Sequence, residues 1–265
     1  MKTLRPLLFF VSLLLIVGLA CSFGDGGDTP TQAPPPEQPV QVDEPTTVPE
    51  PTEVPPTEAP LPTEPPAPEA QPFFTEEFDT PLSSDWSSFT LYDDTESDLD
   101  KVNVEADNGK LVWDLDSKYV YYYLYYGAFE YEDVEVSVSA DNRGKNNNSV
   151  SLICRYDPEV GWYEFNLANN GLYDILFAEI LDSGKIEYNR IANGGSNEIK
   201  AGLGVNEYTA KCEGDELSLT INGAKVISIR DKQYGLRSGQ VGVSVSSFGV
   251  LPILIEMDWF KVSEP

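Results

Sequence analysis

Residues 118–126 read KYVYYYLYY and hold six tyrosines in nine positions. In an extended strand, side chains alternate between two faces. Tyr119, Tyr121, Tyr123 and Tyr125 then share one face, and Val120, Tyr122, Leu124 and Tyr126 share the other. Val120 and Leu124 mark the second row as the core side. The first row spaces its phenol rings roughly 6.6 Å apart, twice the strand rise. Such a row suits two tasks, and both stay open here. One is stacking on the CH faces of sugars. The other is cross-strand aromatic packing, worth a few tenths to about 1 kcal/mol per pair. The stretch GWYEFNL at 161–167 offers matching polar chemistry. Tyr163, Phe165 and Leu167 form its core row, and Trp162, Glu164 and Asn166 read as an exposed mixed row. Arg155 lies opposite the apolar row of its own strand and is expected to join them. A ring against CH surfaces, with carboxylate, amide and guanidinium groups on hydroxyls, is the chemistry that holds a glycan. These eight residues form the candidate ligand-binding set.

Other chemistries find less support. The chain has no histidine, which removes the commonest general base and the commonest zinc ligand together. The run DDTESDLD clusters Asp93, Asp94, Glu96, Asp98 and Asp100. Calcium takes six to eight oxygens from such side chains. The spacing lacks the glycine and the closing glutamate of an EF-hand loop, so the expectation is a solvated acidic loop, with structural calcium as the alternative. No other cofactor is expected.

These residues sit on a chain of three parts. Lys2 and Arg5 precede Leu7–Ala20, an almost wholly apolar stretch of 14 residues. That is short of the roughly 20 needed to span a bilayer and fits the core of a signal peptide. It ends in VGLACS, which resembles the lipobox of bacterial lipoproteins, although Gly18 stands where that family prefers leucine. The resemblance implies cleavage after residue 20 and a lipid on Cys21. Residues 21–72 hold 16 of the 21 prolines, interleaved with Thr, Glu and Val. Such a composition buries too little apolar surface to offset its ordering entropy and favours extended polyproline II. The expectation is an exported head, residues 73–265, held off a bacterial membrane outside the cytoplasm by a disordered linker.

The head has room for one domain with a sizeable core. Ten of the 44 acids and two of the 17 bases precede residue 73, which leaves 34 and 15, a net charge of −19. That field repels nucleic acid, so no nucleic-acid partner is expected. Sequence periodicity is two nearly throughout, as in YEDVEVSVSA and GQVGVSVSS, giving about ten to twelve short strands. Asn222-Gly223 joins two alternating runs as a hairpin. No stretch of the head has a helical apolar period. The pattern predicts an all-β, two-sheet antiparallel sandwich of jelly-roll type. With Cys21 assigned to lipid, Cys154 and Cys212 remain as an even pair in an exported chain. Each lies on the less polar row of its strand, which points to a disulfide.

The succession GKLVW, ICRY, GWYEFNL, KCEGDELSLTINGAKV and DWFKV resembles the concanavalin A-like lectin/glucanase superfamily, and within it LamG-like and 3-keto-disaccharide hydrolase-type domains of bacterial lipoproteins. The resemblance implies curved sheets with ligands on the concave face or at one rim. The superfamily includes retaining glucanases with a Glu-x-Asp-x-x-Glu strand, a mechanism that needs two carboxylates about 5 Å apart. Glu256 and Asp258 begin that pattern, but Lys261 stands where its second glutamate belongs. Glu77 and Asp79 fail likewise. The reading is therefore a surface module that binds polysaccharide or cell-wall glycan. A protein-interaction module or a glycan-degrading enzyme are the alternatives.

Overall fold

The computed structural model describes residues 70–265. The signal segment, the lipid on Cys21 and nearly all of the Pro-rich linker lie outside the described residues. The head is an antiparallel sandwich of two sheets built from 15 strands. The sheets contain strands β1 (Phe74–Glu76), β2 (Trp86–Tyr92), β3 (Val102–Asp107), β4 (Lys110–Leu115) and β5 (Val120–Tyr131). The chain continues through β6 (Val134–Asn142), β7 (Asn148–Asp157), β8 (Gly161–Ala168), β9 (Leu172–Ile180) and β10 (Ile186–Gly195). It closes with β11 (Gly204–Glu213), β12 (Glu216–Ile221), β13 (Ala224–Arg230), β14 (Gly239–Ser247) and β15 (Ile253–Ser263). The first sheet runs β13-β12-β11-β6-β15-β4-β3, with β1 paired to β15, and the second runs β10-β9-β8-β7-β14-β5-β2. Three strands exceed the expected set. They are β1, only three residues long, β2, where Ser87 and Ser88 blur the alternation, and β3, where Val102, Val104 and Ala106 alternate cleanly with Asn103, Glu105 and Asp107 and the run was missed.

The core lies where the alternation places it. Val134, Val136 and Val138 on β6, Val150, Leu152 and Cys154 on β7, and Tyr163, Phe165 and Leu167 on β8 all enter one buried cluster between the sheets. Tyr208, Ala210 and Cys212 on β11 face them from the first sheet, and the Cys154–Cys212 disulfide joins the layers across a Cα–Cα distance of 6.6 Å. Asn222 and Gly223 both have positive φ, 48° and 81°, as a type I′ hairpin requires. The N-terminal edge is sealed by Phe74, whose ring lies 4.6 Å from Tyr126 and 6.3 Å from Phe260.

One irregularity decides where side chains point. The pairing of β7 with β8 shifts between Cys154 and Asp157, and Arg155 in that bulge has φ 57°. A bulge adds residues to one strand and re-aims those that follow. Gly239 allows it: a Cβ there would stand 2.6 Å from the Arg155 backbone.

Candidate functional site

The second sheet carries a second cluster on its face away from the core. Tyr123, Ile153, Trp162 and Ala178 are buried there, with Phe89, Leu91, Tyr121, Tyr156, Ile180 and Ile186 packed around them. Register explains the set. Phe89 pairs with Tyr123, Tyr123 with Ser244, Ser244 with Ser151, and Ser151 with Asn166, so one row of side chains crosses five strands on one face. Edge strand β10 and strand β5 have four strands between them, about 24 Å across a flat sheet and too far for two tyrosine side chains to meet. Yet the Tyr123 and Tyr188 hydroxyls lie 2.7 Å apart. The sheet therefore curls into a trough, and these two phenols meet over its floor.

Beneath them sits Glu164, only 3% exposed. Its carboxylate accepts hydrogen bonds from Ser151 Oγ at 2.7 Å, Trp162 Nε1 at 3.0 Å and Tyr123 Oη at 3.2 Å. Burial raises its pKa against the pull of these donors, which lowers it. Burial likewise pushes the Tyr123 and Tyr188 hydroxyls up, helped by the charge of Glu164. Asn166 Nδ2 donates to Ser149 Oγ and Ser151 Oγ at 2.9 and 2.8 Å and so braces the same floor. On β9, Asp174 pairs in register with Asn166 and is held by Arg190 at 2.6 Å.

A raised carboxyl pKa has a defined consequence. Unfolded glutamate titrates near 4.3. The stability contributed by the neutral form is complete below that pH and is lost as pH rises through the higher folded value. Glu164→Gln keeps the size and one acceptor but carries no charge. We expect the variant to melt above the native chain at pH 7, with the gap closing by about pH 4. A variant that melts lower at pH 7, with the deficit closing only below about pH 4, would show that the three donors hold Glu164 as a stabilised anion.

At one end of the trough a pocket of about 370 Å³ opens, lined by Leu91, Tyr92, Asp93, Tyr119, Tyr121 and Tyr188. Three of its rings reach solvent: Tyr92, Tyr119 and Tyr188 are 50%, 38% and 40% exposed. The acidic loop positions them. Asp93 Oδ1 accepts from Thr95 N at 2.8 Å, Thr95 Oγ1 at 2.6 Å and Glu96 N at 3.0 Å, and these bonds hold its carboxyl below the usual range. Ser97 Oγ donates to the Lys118 carbonyl at 2.7 Å, and Asp98 N to Ser117 Oγ at 2.7 Å, tying the loop to the turn that carries Tyr119. Tyr119 itself lies before β5 with φ 53°. Among the described residues, no group of three acidic or cysteine side chains converges to hold a metal ion.

The candidate set divides. Tyr121, Tyr123, Trp162, Glu164 and Asn166 share the trough face, and Tyr125 joins them through its contact with Tyr156, ring to ring 4.7 Å. The mixed row expected to be exposed is largely covered: Trp162 is fully buried and Glu164 nearly so. The cover is aromatic, with Trp162 within 5.4–6.3 Å of Tyr123, Tyr156, Phe89 and Tyr188. Arg155 is a correction. The bulge sends Tyr156 to the trough and turns Arg155 inward, where it is 1% exposed and bonds three backbone carbonyls. Tyr92, Asp93 and Tyr188 were not among the candidates. Tyr188 stands in a polar edge strand, and Asp93 reads as one acid among five. Glu256 and Asp258 lie on the other sheet, and both bind Lys110, at 3.1 and 2.9 Å.

No protein-family model matches the chain, and no curated protein matches it in sequence. Solved structures do match in shape. A mixed-linkage glucan GH16 protein of Bacteroides ovatus, in complex with G4G4G3G product, superposes with a TM-score of 0.54 over 72% of this chain and 99% of that one, at 12% identity. The fold is a concanavalin A-like jelly roll. The Bacillus licheniformis β-glucanase matches the jelly roll with a TM-score of 0.52 over 74% of this chain and all of that one, at 11% identity. SCLam, a non-specific endo-β-1,3(4)-glucanase of family GH16, matches at 0.51 over 72% and 90%, at 14% identity. At such identities the likeness is one of fold.

Proposed function

We propose that this chain is an exported, lipid-anchored protein whose jelly-roll head binds a polysaccharide, with β-glucan the best-supported class. The observation that carries the reading is the pocket itself: solvent-reaching rings of Tyr92, Tyr119 and Tyr188 around the carboxylate of Asp93. Rings present apolar faces to sugar CH groups, and one Asp93 oxygen is left free of the loop's own bonds. Structures of the same fold hold glucan oligosaccharides, which supports the ligand class. Binding is favoured over cleavage. Glycoside hydrolysis uses two carboxyl groups flanking one bond. Among the described residues, Asp93 is the only carboxylate lining the pocket, Glu164 is sealed under the tyrosines, and Asp174 is committed to Arg190. Cys21 and the Pro-rich residues 21–72 support an anchor and spacer outside the cytoplasm.

Calorimetry with mixed-linkage β-glucan oligosaccharides tests this. The expected Kd is on the order of 10⁻⁴ M, about −5.5 kcal/mol. Tyr92→Ala with Tyr119→Ala removes two exposed rings and should weaken binding about tenfold, roughly 1.4 kcal/mol, with the melting temperature almost unchanged. The same ligand, labelled, follows the anchor: cell membranes retain it through the native chain, and Cys21→Ser moves that activity to the soluble fraction. Unchanged affinity in the double variant would remove the pocket from the account. Unchanged membrane partition of Cys21→Ser would remove the anchor.

A further inference from the structure

The trough is not open from end to end. The Tyr123–Tyr188 contact spans it at 2.7 Å, and Tyr123 is tied down to Glu164 at 3.2 Å. Under this bridge the floor is closed: Ser151, Ser244 and Trp162 have no exposure. Beyond the bridge, away from the pocket, rings fill the space. Phe89 stacks on Tyr123 at 4.7 Å and lies 5.8 Å from Tyr156, and Tyr125 lies 4.7 Å from Tyr156. The pocket therefore has a wall where an open cleft would have a second exit. That wall is Tyr188, which lines the pocket with one side of its ring and bonds Tyr123 through its hydroxyl.

A binding site for the interior of a polysaccharide must let the chain enter and leave. A site walled on its trough side favours a chain end. The volume agrees, since about 370 Å³ is near the lower bound of ordinary ligand pockets and accommodates roughly one or two sugar rings rather than a longer segment. We infer that the pocket recognises a glycan by its terminal units, with the Tyr123–Tyr188 bridge as the stop that excludes the rest of the chain from the trough. The inference rests on the glycan reading above and adds to it the class of ligand: a free end, not an internal segment. Glu164 acts here as a positioning residue. It touches no ligand, but its carboxylate fixes Tyr123, and Tyr123 holds Tyr188 in place.

The test is a length series. Mixed-linkage β-glucan oligosaccharides of two to six glucose units are titrated calorimetrically into the full chain, native and Tyr188→Ala. For the native chain, affinity should be flat with length, within about twofold from the trisaccharide upward, because further units extend from the mouth into solvent and make no contact. Tyr188→Ala deletes one wall of the pocket while Phe89, Tyr125 and Tyr156 still fill the trough behind it, so every length should bind more weakly by a similar factor, about threefold or more, and the profile should stay flat. A native chain that already binds the hexasaccharide about tenfold tighter than the trisaccharide overturns the chain-end inference and leaves glycan binding standing. A Tyr188→Ala chain that folds and keeps the native affinity, or whose affinity rises with length, also overturns it. Should that variant fail to fold, the native series decides alone. No binding at any length by the native chain overturns the glycan reading itself.

Discussion

Arg155→Met is expected to lower the unfolding free energy by about 3–5 kcal/mol, from two buried backbone acceptors left without a donor at roughly 1–3 kcal/mol each. The guanidinium is 1% exposed. Nε and Nη2 donate to the Glu132 carbonyl at 2.8 and 2.6 Å, and Nη1 donates to those of Gly214 and Leu236 at 3.0 Å each. One side chain thus satisfies three backbone acceptors from three separate turns, at the end of the sandwich where β5, β11 and the segment before β14 arrive. Burial lowers its pKa, but guanidinium stays charged throughout the accessible range. Methionine preserves the aliphatic bulk and strands the Glu132 and Leu236 carbonyls, each worth roughly 1–3 kcal/mol when left without a donor, while the Gly214 carbonyl keeps its bond from Arg237. Lysine has three donors on one nitrogen and cannot reach three separated carbonyls, so Arg155→Lys should recover only part of the loss. Urea unfolding of the two variants measures both effects. A loss below about 1 kcal/mol for methionine would mean that water serves the carbonyls equally well.

Removal of the disulfide is the second large effect. Cys154 and Cys212 are fully buried and join β7 of one sheet to β11 of the other, 58 residues apart in sequence. A cross-link over that separation restricts the unfolded chain by roughly 4 kcal/mol in the chain-entropy model. The paired substitution Cys154→Ala with Cys212→Ala adds a small cavity term in the core. The expected outcome is a lower urea midpoint for the double variant. Mass analysis should find the native unreduced chain resistant to alkylation at both positions. A double variant within about 1 kcal/mol of the native chain would mean that the two sheets hold their register without the link.

The core rows were legible in the sequence because β-strand alternation is local. Val134, Val136 and Val138, or Tyr163, Phe165 and Leu167, declare a buried face by themselves. The Asn222-Gly223 hairpin was legible for the same reason, and the cysteine pair, 58 residues apart, was legible by count, as the two cysteines left once Cys21 is set aside, each on a less polar row. The trough was only half legible. Alternation put Tyr121, Tyr123, Trp162, Glu164 and Asn166 on the non-core side, but it carries no record of curvature. Trp162 and Tyr123 are buried because the sheet curls and brings Tyr188 of an edge strand across four others. Arg155 was misplaced for another reason: parity counting fails at a bulge, and the left-handed turn at 155 is set by packing against Gly239 rather than by any signal at 155 itself. The tyrosine row divides residue by residue. Tyr123 is packing, while Tyr119 and Tyr121 line the pocket.

The central claim is that the Tyr119–Tyr121–Tyr188 pocket binds a glycan. Tyrosine-selective ring labelling tests it most directly, because the chain's 14 tyrosines are spread over every relevant environment. On titration with a mixed-linkage β-glucan trisaccharide, ring resonances of Tyr92, Tyr119, Tyr121 and Tyr188 should shift together along one binding curve. Those of Tyr163 and Tyr208, buried between the sheets, should stay fixed. Shifts confined to tyrosines outside the pocket, or no shift at saturating trisaccharide, would contradict the account.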